Sequence, residues 1–276
     1  MSQNDPEAGT RAGGVRELPG EFLKCLRFYS RLPVPEPAWE RDPHGPPDFR
    51  TMAPAVPLAG AVIGLCGAAV LGAAHALALG AVLTAALAVA GLTLATGAFH
   101  EDGLADAADG LGGSTTERRL AIMKDSRIGS YGAAALVAAY ALRIAALAEI
   151  AGRIGPAGAA AAVVFAAALS RTAPLMLLTL PPARTGGMSY VAGRPARGTM
   201  AAAWAVCAVL GIAAALAGPL PLLGAALAFL AALVLARGMR KLSLRLIGGH
   251  TGDVAGAVQQ LVEVAAYLSL LIAARP

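Results

Sequence analysis

The sequence predicts an all-α fold, a polytopic integral membrane helical bundle of about seven transmembrane helices with a cytoplasmic N-terminus. Three observations carry this. The chain is 57% hydrophobic and only 14% charged, where a soluble domain carries about 25% charge. Its mean hydropathy is +0.64. Its apolar residues also fall into blocks of roughly 20, the length that crosses a bilayer, separated by short polar segments.

The same features exclude other classes. The net charge of +5 sits between the apolar blocks rather than in a basic run interleaved with stacking aromatics, so nucleic acid is not an expected partner and the lipid bilayer is. Cys25, Cys66 and Cys207 are isolated, which implies neither a zinc site nor a disulfide framework.

In chain order, residues 1–19 are polar and Gly-rich and read as a disordered tail, not a secretory signal. Residues 20–276 are expected to form one membrane-embedded catalytic domain. It opens with Gly20 to Leu32, where Phe22, Leu23, Leu26 and Tyr29 cluster on one side and suit a helix lying on the inner leaflet. The expected spans are 53–76, 80–99, 131–151, 156–180, 199–217, 219–236 and 254–273. Gly60 and Gly64 give the first span a small-residue contact face, and Gly218-Pro219 signals the turn between the fifth and sixth.

Lys and Arg set the orientation. They gather before the first span (Lys24, Arg27, Arg31, Arg50), in the 100–130 loop, in 181–198 (Arg184, Arg194, Arg197) and in 237–253. The alternate connections carry almost none, so these loops belong on the cytoplasmic face and the C-terminus outside. An active site made from them would open inward, at the cytoplasmic (inner) membrane.

The most informative stretch runs from Phe99 to Gly110. Asp102, Asp106 and Asp109 are spaced i, i+4, i+7, so on a helix continuing from the second span their directions agree within about 40°. Three adjacent carboxylates repel one another unless a cation or protons intervene, and hard oxygen ligands select Mg²⁺, Ca²⁺ or Mn²⁺ over softer metals, with Mg²⁺ the sharpest reading. Mg²⁺ is usually held by few carboxylates plus substrate phosphates. The competing reading is a solvated helix end paired with nearby cations. Further on, Ser114 and Glu117 have capping-box spacing at the start of a short helix that Gly129 would end. Within it, Lys124 and Arg127 are near enough to clamp a diphosphate.

The last span opens with His250 to Glu263, placing Gly256, Gln260 and Glu263 on one face. Glu263 lies well inside apolar sequence, as do Arg143 and Arg171, and intramembrane charges are either functional or one another's partners. His100 and His250 border acidic motifs and could transfer protons, while His44 and His75 have no such neighbours.

Four blocks together, Phe28–Pro35, His100–Gly110, Ile122–Gly129 and Gly252-Asp253-x-x-Gly256-Ala257, resemble the cobalamin synthase family, and the match spans about residues 20–273. The resemblance implies a Mg²⁺-dependent membrane enzyme, an adenosylcobinamide-GDP ribazoletransferase. In that reaction a hydroxyl of α-ribazole, or of its 5′-phosphate, displaces GMP from adenosylcobinamide-GDP. It further implies Asp102, Asp106 and Asp109 as metal ligands, and Lys124, Arg127 and Arg171 as substrate-binding groups. His100, Asp253 and Glu263 would be catalytic, Asp253 or Glu263 serving as base or at a second metal. A homo-oligomer is left open. Two alternatives remain. A CDP-alcohol phosphotransferase wants Asp-Gly-x-x-Ala-Arg, whereas Ala105 is followed here by Asp106. A transporter would place its key groups near the midplane.

Overall fold

The computed structural model describes residues 18–40, 42–186, 188–218 and 220–274. The expected disordered tail therefore falls largely outside the described residues, as does Pro219 of the expected turn. The amphipathic helix is present as α1, Leu18–Tyr29, which begins two residues earlier than expected.

The first crossing enters through a short helical turn at Phe49–Met52 and continues as α2, Val56–Ala76. It returns as α3, Ala81–Thr96. At 16 residues, or ~24 Å, α3 is shorter than the ~30 Å hydrocarbon layer. The expected single span 80–99 is instead broken, with φ of +66° at Gly97 and +58° at Ala98. The chain bends by 91° into α4, Phe99–Leu111, and the two helices have the length and apolarity of a span only when taken together. Glycine adopts that left-handed backbone freely. Ala98 does so at a cost of ~1–2 kcal/mol, and the Arg31 amide holds the bend by bonding the Ala95 carbonyl at 2.7 Å.

A short helix α5, Thr116–Met123, follows. Its N-cap is Thr115, whose hydroxyl accepts the Arg118 amide at 3.2 Å, so the cap lies one residue beyond the expected Ser114. Gly129 does not end this helix but caps the start of the next.

Residues Ser130–Thr172 are helical except at Gly155, where φ 77° and ψ 173° break the chain before Pro156. The two halves, α6 (130–154) and α7 (156–172), form a hairpin. Arg143 and Arg171, 28 residues apart, would stand roughly 42 Å apart on a straight helix, yet both interact with the charges of Glu101 and Glu263. A β-carbon on Gly60 would stand 2.7 Å from the Ala167 carbonyl and one on Gly64 2.8 Å from the Val164 Cα. The small-residue face of α2 is therefore a close antiparallel contact with α7.

The remaining spans are α8, Arg197–Ala217, α9, Leu222–Ile247, and α10, Gly252–Ala273. Helix α9 runs eleven residues past the expected end and takes in Arg237, Gly238, Arg240, Lys241 and Arg245, ending only where Gly248 turns left-handed (φ +71°). Among the described residues, five helical segments are long and apolar enough to cross a membrane, or six if the bent pair is one span. The break at Gly155 divides one of them, Ser130–Thr179, into two helices. The bundle turns large apolar side chains outward, among them Leu94, Val137, Leu216 and Ile272, and buries Glu101, Arg143, Arg171 and Glu263. That is the polarity of a protein whose solvent is lipid.

Candidate active site

Two features of local chain geometry create a cleft at the end of the bundle where α10 begins. The first is a small β-bridge between the 181–183 loop and His250. The His250 amide bonds the Pro181 carbonyl and the Ala183 amide bonds the His250 carbonyl, each at 2.9 Å. A side chain on Gly249 would collide with the Pro181 carbonyl, so glycine is required for the approach. The second is the crossing of α4 over α10, where a β-carbon on Gly256 would stand 3.0 Å from the Gly103 Cα and 3.1 Å from the His100 carbonyl. Thr251 caps α10 by accepting the Val254 amide at 3.2 Å, which orients the first turn and Asp253 with it.

The resulting cavity, of about 230 Å³, has a polar rim of Asp102, Arg184, His250 and Asp253. Its opposite wall is aromatic. Phe28 packs edge-on against Phe99 with centroids 5.4 Å apart, and Tyr29 stacks on His100 at 5.7 Å. Arg184 Nη2 pairs with Asp253 Oδ2 at 3.2 Å, while Arg184 Nη1 is buried with no hydrogen-bond partner. The His250 Nδ1 lies 3.1 Å from the Pro181 carbonyl oxygen.

The three aspartates of α4 share a helix, but not one environment. Asp102 is exposed at the cleft, and Asp106 is half-buried one turn further on. The charges of Asp102, Asp253 and Asp109 all bear on Asp106, opposed by Arg184. Asp109 turns away, its two oxygens accepting the Gly129 and Gly132 amides at 2.7 and 2.9 Å. It therefore caps the start of α6. Among the described residues, no group of three or more His, Cys, Asp or Glu side chains forms a ready-made metal cluster.

The expected cations are distributed differently from the expectation. Lys124 and Arg127 are exposed and do not line the cleft. Arg127 forks onto Asp125, with its Nη2 2.6 Å from Oδ2, and holds that carboxyl down to about 2. Arg171 is 2% exposed and donates to the Ala167 carbonyl at 3.0 Å. The cation at the cleft is Arg184, which sequence reasoning noted only as loop charge. No local pattern marks it, because the bridge that carries it to Asp253 joins residues 69 apart.

Glu263 is likewise outside the cleft. It belongs to a buried network in which Arg143 Nη1 reaches Glu101 Oε1 at 3.2 Å and Glu263 Oε1 at 3.5 Å. Gln259 Nε2 donates to Glu263 Oε2 at 2.6 Å. With Arg171, two cations face two carboxylates, so the cluster is neutral and its members answer one another. The Glu101 of this set lies in the acidic motif but was assigned no role from sequence.

The family model described as cobalamin-5-phosphate synthase matches residues 21–271. The chain is similar to the adenosylcobinamide-GDP ribazoletransferase of Azorhizobium caulinodans, with 54% identity over 255 residues, 91% of this chain and 95% of that one. The proteins of the same name from Xanthobacter autotrophicus and Rhizobium meliloti are 49% and 40% identical. They match 91% and 94% of this chain and 96% and 98% of their own lengths. No solved structure matches it significantly.

Proposed function

The chain belongs to the cobalamin-5-phosphate synthase family, and from that premise we propose that it is an adenosylcobinamide-GDP ribazoletransferase, the activity its relatives are named for. A hydroxyl of α-ribazole, or of its 5′-phosphate, displaces GMP from adenosylcobinamide-GDP. The products are adenosylcobalamin or its phosphate, and GMP.

The observation that carries this reading at the level of the site is the composition of the cleft, where carboxylates and a half-free arginine face an aromatic wall. Displacement at a diphosphate needs charge neutralisation on the bridging and leaving oxygens and an in-line nucleophile. Arg184, whose Nη1 has no partner, suits the diphosphate. The aromatic wall suits the apolar bulk of a large substrate.

Mg²⁺ is part of the proposal. Asp102 and Asp106 would hold it, since Asp106 bears the repulsion of three other carboxylates against one arginine, and such excess negative charge fits a hard divalent ion. Two carboxylates suffice where substrate phosphates and water complete the shell. When bound, the ion supplies electrostatic neutralisation of the diphosphate. Basic residues concentrated on the cleft side support a bacterial inner-membrane location with the site facing the cytoplasm.

The test uses the detergent-purified protein with adenosylcobinamide-GDP, α-ribazole and Mg²⁺. GMP and a new corrinoid product should appear in equal amounts, and Asp102→Asn should abolish both. Turnover only with CDP-linked substrates would indicate a CDP-alcohol phosphotransferase, and absence of any chemistry would favour the transporter reading.

A further inference from the structure

His250 stands at the cleft rim in an arrangement that fixes its chemistry. The ring is 4% exposed, and its Nδ1 is 3.1 Å from the Pro181 carbonyl oxygen. A carbonyl oxygen only accepts, so Nδ1 carries the proton and donates. In the neutral ring the lone pair is then on Nε2, and this buried nitrogen has no hydrogen-bond partner. The backbone that holds the ring is itself fixed by the two-bond bridge to 181–183 and by Ser243 Oγ, which donates to the Gly249 carbonyl at 2.5 Å. An oriented imidazole with its tautomer set by a backbone acceptor and a free basic nitrogen beside a substrate cleft is the constellation of a general base.

We propose that His250 is the catalytic base of this transferase, its Nε2 taking the proton from the attacking hydroxyl. The inference rests on the reaction proposed above and assigns its proton acceptor. As the hydroxyl oxygen bonds the cobinamide-side phosphorus, the O–H proton passes to Nε2. The bond from that phosphorus to the bridging oxygen breaks, and GMP departs with the oxygen and its electron pair. The imidazolium afterwards returns its proton to water. His100 is less suited, since its ring is stacked under Tyr29. Asp253 has Oδ2 engaged by Arg184, and Glu263 lies outside the cleft in the buried network.

Burial lowers the His250 imidazole below its usual 6.5, partly opposed by the carbonyls of Pro181, Leu180 and Ser189. The charged or titratable groups sharing its cleft are Tyr29 of α1, His100 and Asp102 of α4, Arg184 of the bridge loop and Asp253 of α10. Arg184 and Asp253 pair with each other. The neutral base is present above its pKa and lost as pH falls through it, so the acid limb of the rate should lie below pH 6.5.

The test is the pH profile of GMP release by the purified protein and by His250→Asn, whose side-chain amide can keep the bond to Pro181 while deleting Nε2. We expect kcat to fall by about 10²–10⁴ with KM for adenosylcobinamide-GDP little changed, the acid limb to disappear, and imidazole added to His250→Ala to restore part of the rate. Wild-type release that survives in His250→Asn, a persistent acid limb, or failure of imidazole to rescue the alanine variant overturns the assignment alone. A wild-type protein that releases no GMP overturns the reaction and the assignment together.

Discussion

Asp109 and Asp106 are three residues apart on the same helix, and the environment gives them different work. Asp109 accepts two backbone amides at the start of α6, while Asp106 faces other carboxylates. Replacing Asp109 by Ala should therefore act on stability. Loss of a helix cap costs about 0.5–2 kcal/mol, to be read as a lower melting temperature in detergent. Asp106→Asn should act on chemistry. Turnover should fall by at least about 10², while melting is unchanged or raised because like-charge repulsion is relieved. Wild-type GMP release by Asp106→Asn would remove that carboxylate from the proposed metal site. The i, i+4, i+7 spacing of Asp102, Asp106 and Asp109 was legible in the sequence. The engagement of Asp109 was not, because its partners arrive from 20 and 23 residues away.

At the scale of elements, the cleft depends on how closely α4 approaches α10. Gly103 and Gly256 meet with no side chain between them, and this contact sets where Asp102 stands relative to Asp253. Gly256→Val should push the helices apart by part of an ångström or more. Misplacement of about 1 Å can cost 10² in rate, so GMP release should collapse in a protein that still inserts and purifies as a monodisperse species. Unaltered kcat in this variant would show that the crossing does not set the reacting geometry. The glycines were visible in the sequence, and the pairing of Gly60 and Gly64 with a neighbouring helix was anticipated. The break at Gly97-Ala98 was not, since an alanine-rich stretch reads as continuous helix and nothing local marks Ala98 for a left-handed backbone.

Across the whole molecule, α4, α6, α7 and α10 are joined by the buried set of Glu101, Arg143, Arg171 and Glu263. Removing one partner leaves an uncompensated charge in a low-dielectric interior. Arg143→Met should destabilise the protein by about 3–5 kcal/mol, whereas adding Glu263→Gln to it should recover part of the loss because a lone carboxylate is then removed. Thermal unfolding of the two single variants and the double variant measures this coupling. Strict additivity would mean that Arg143 and Glu263 do not depend on each other.

The sequence by itself determined the all-α membrane class, the approximate spans and the acidic helix. These follow from composition and short-range periodicity, which the bilayer length and 3.6-residue turn impose on neighbouring residues. Only the tertiary structure decided which charges meet. It brought Arg184 to Asp253 across a loop bridge, confined Glu263 and Arg171 to the interior, and placed a carbonyl from 69 residues away against His250 Nδ1. Such pairings depend on long-range chain closure and helix crossing, and neither leaves a periodic trace in the local order of residues.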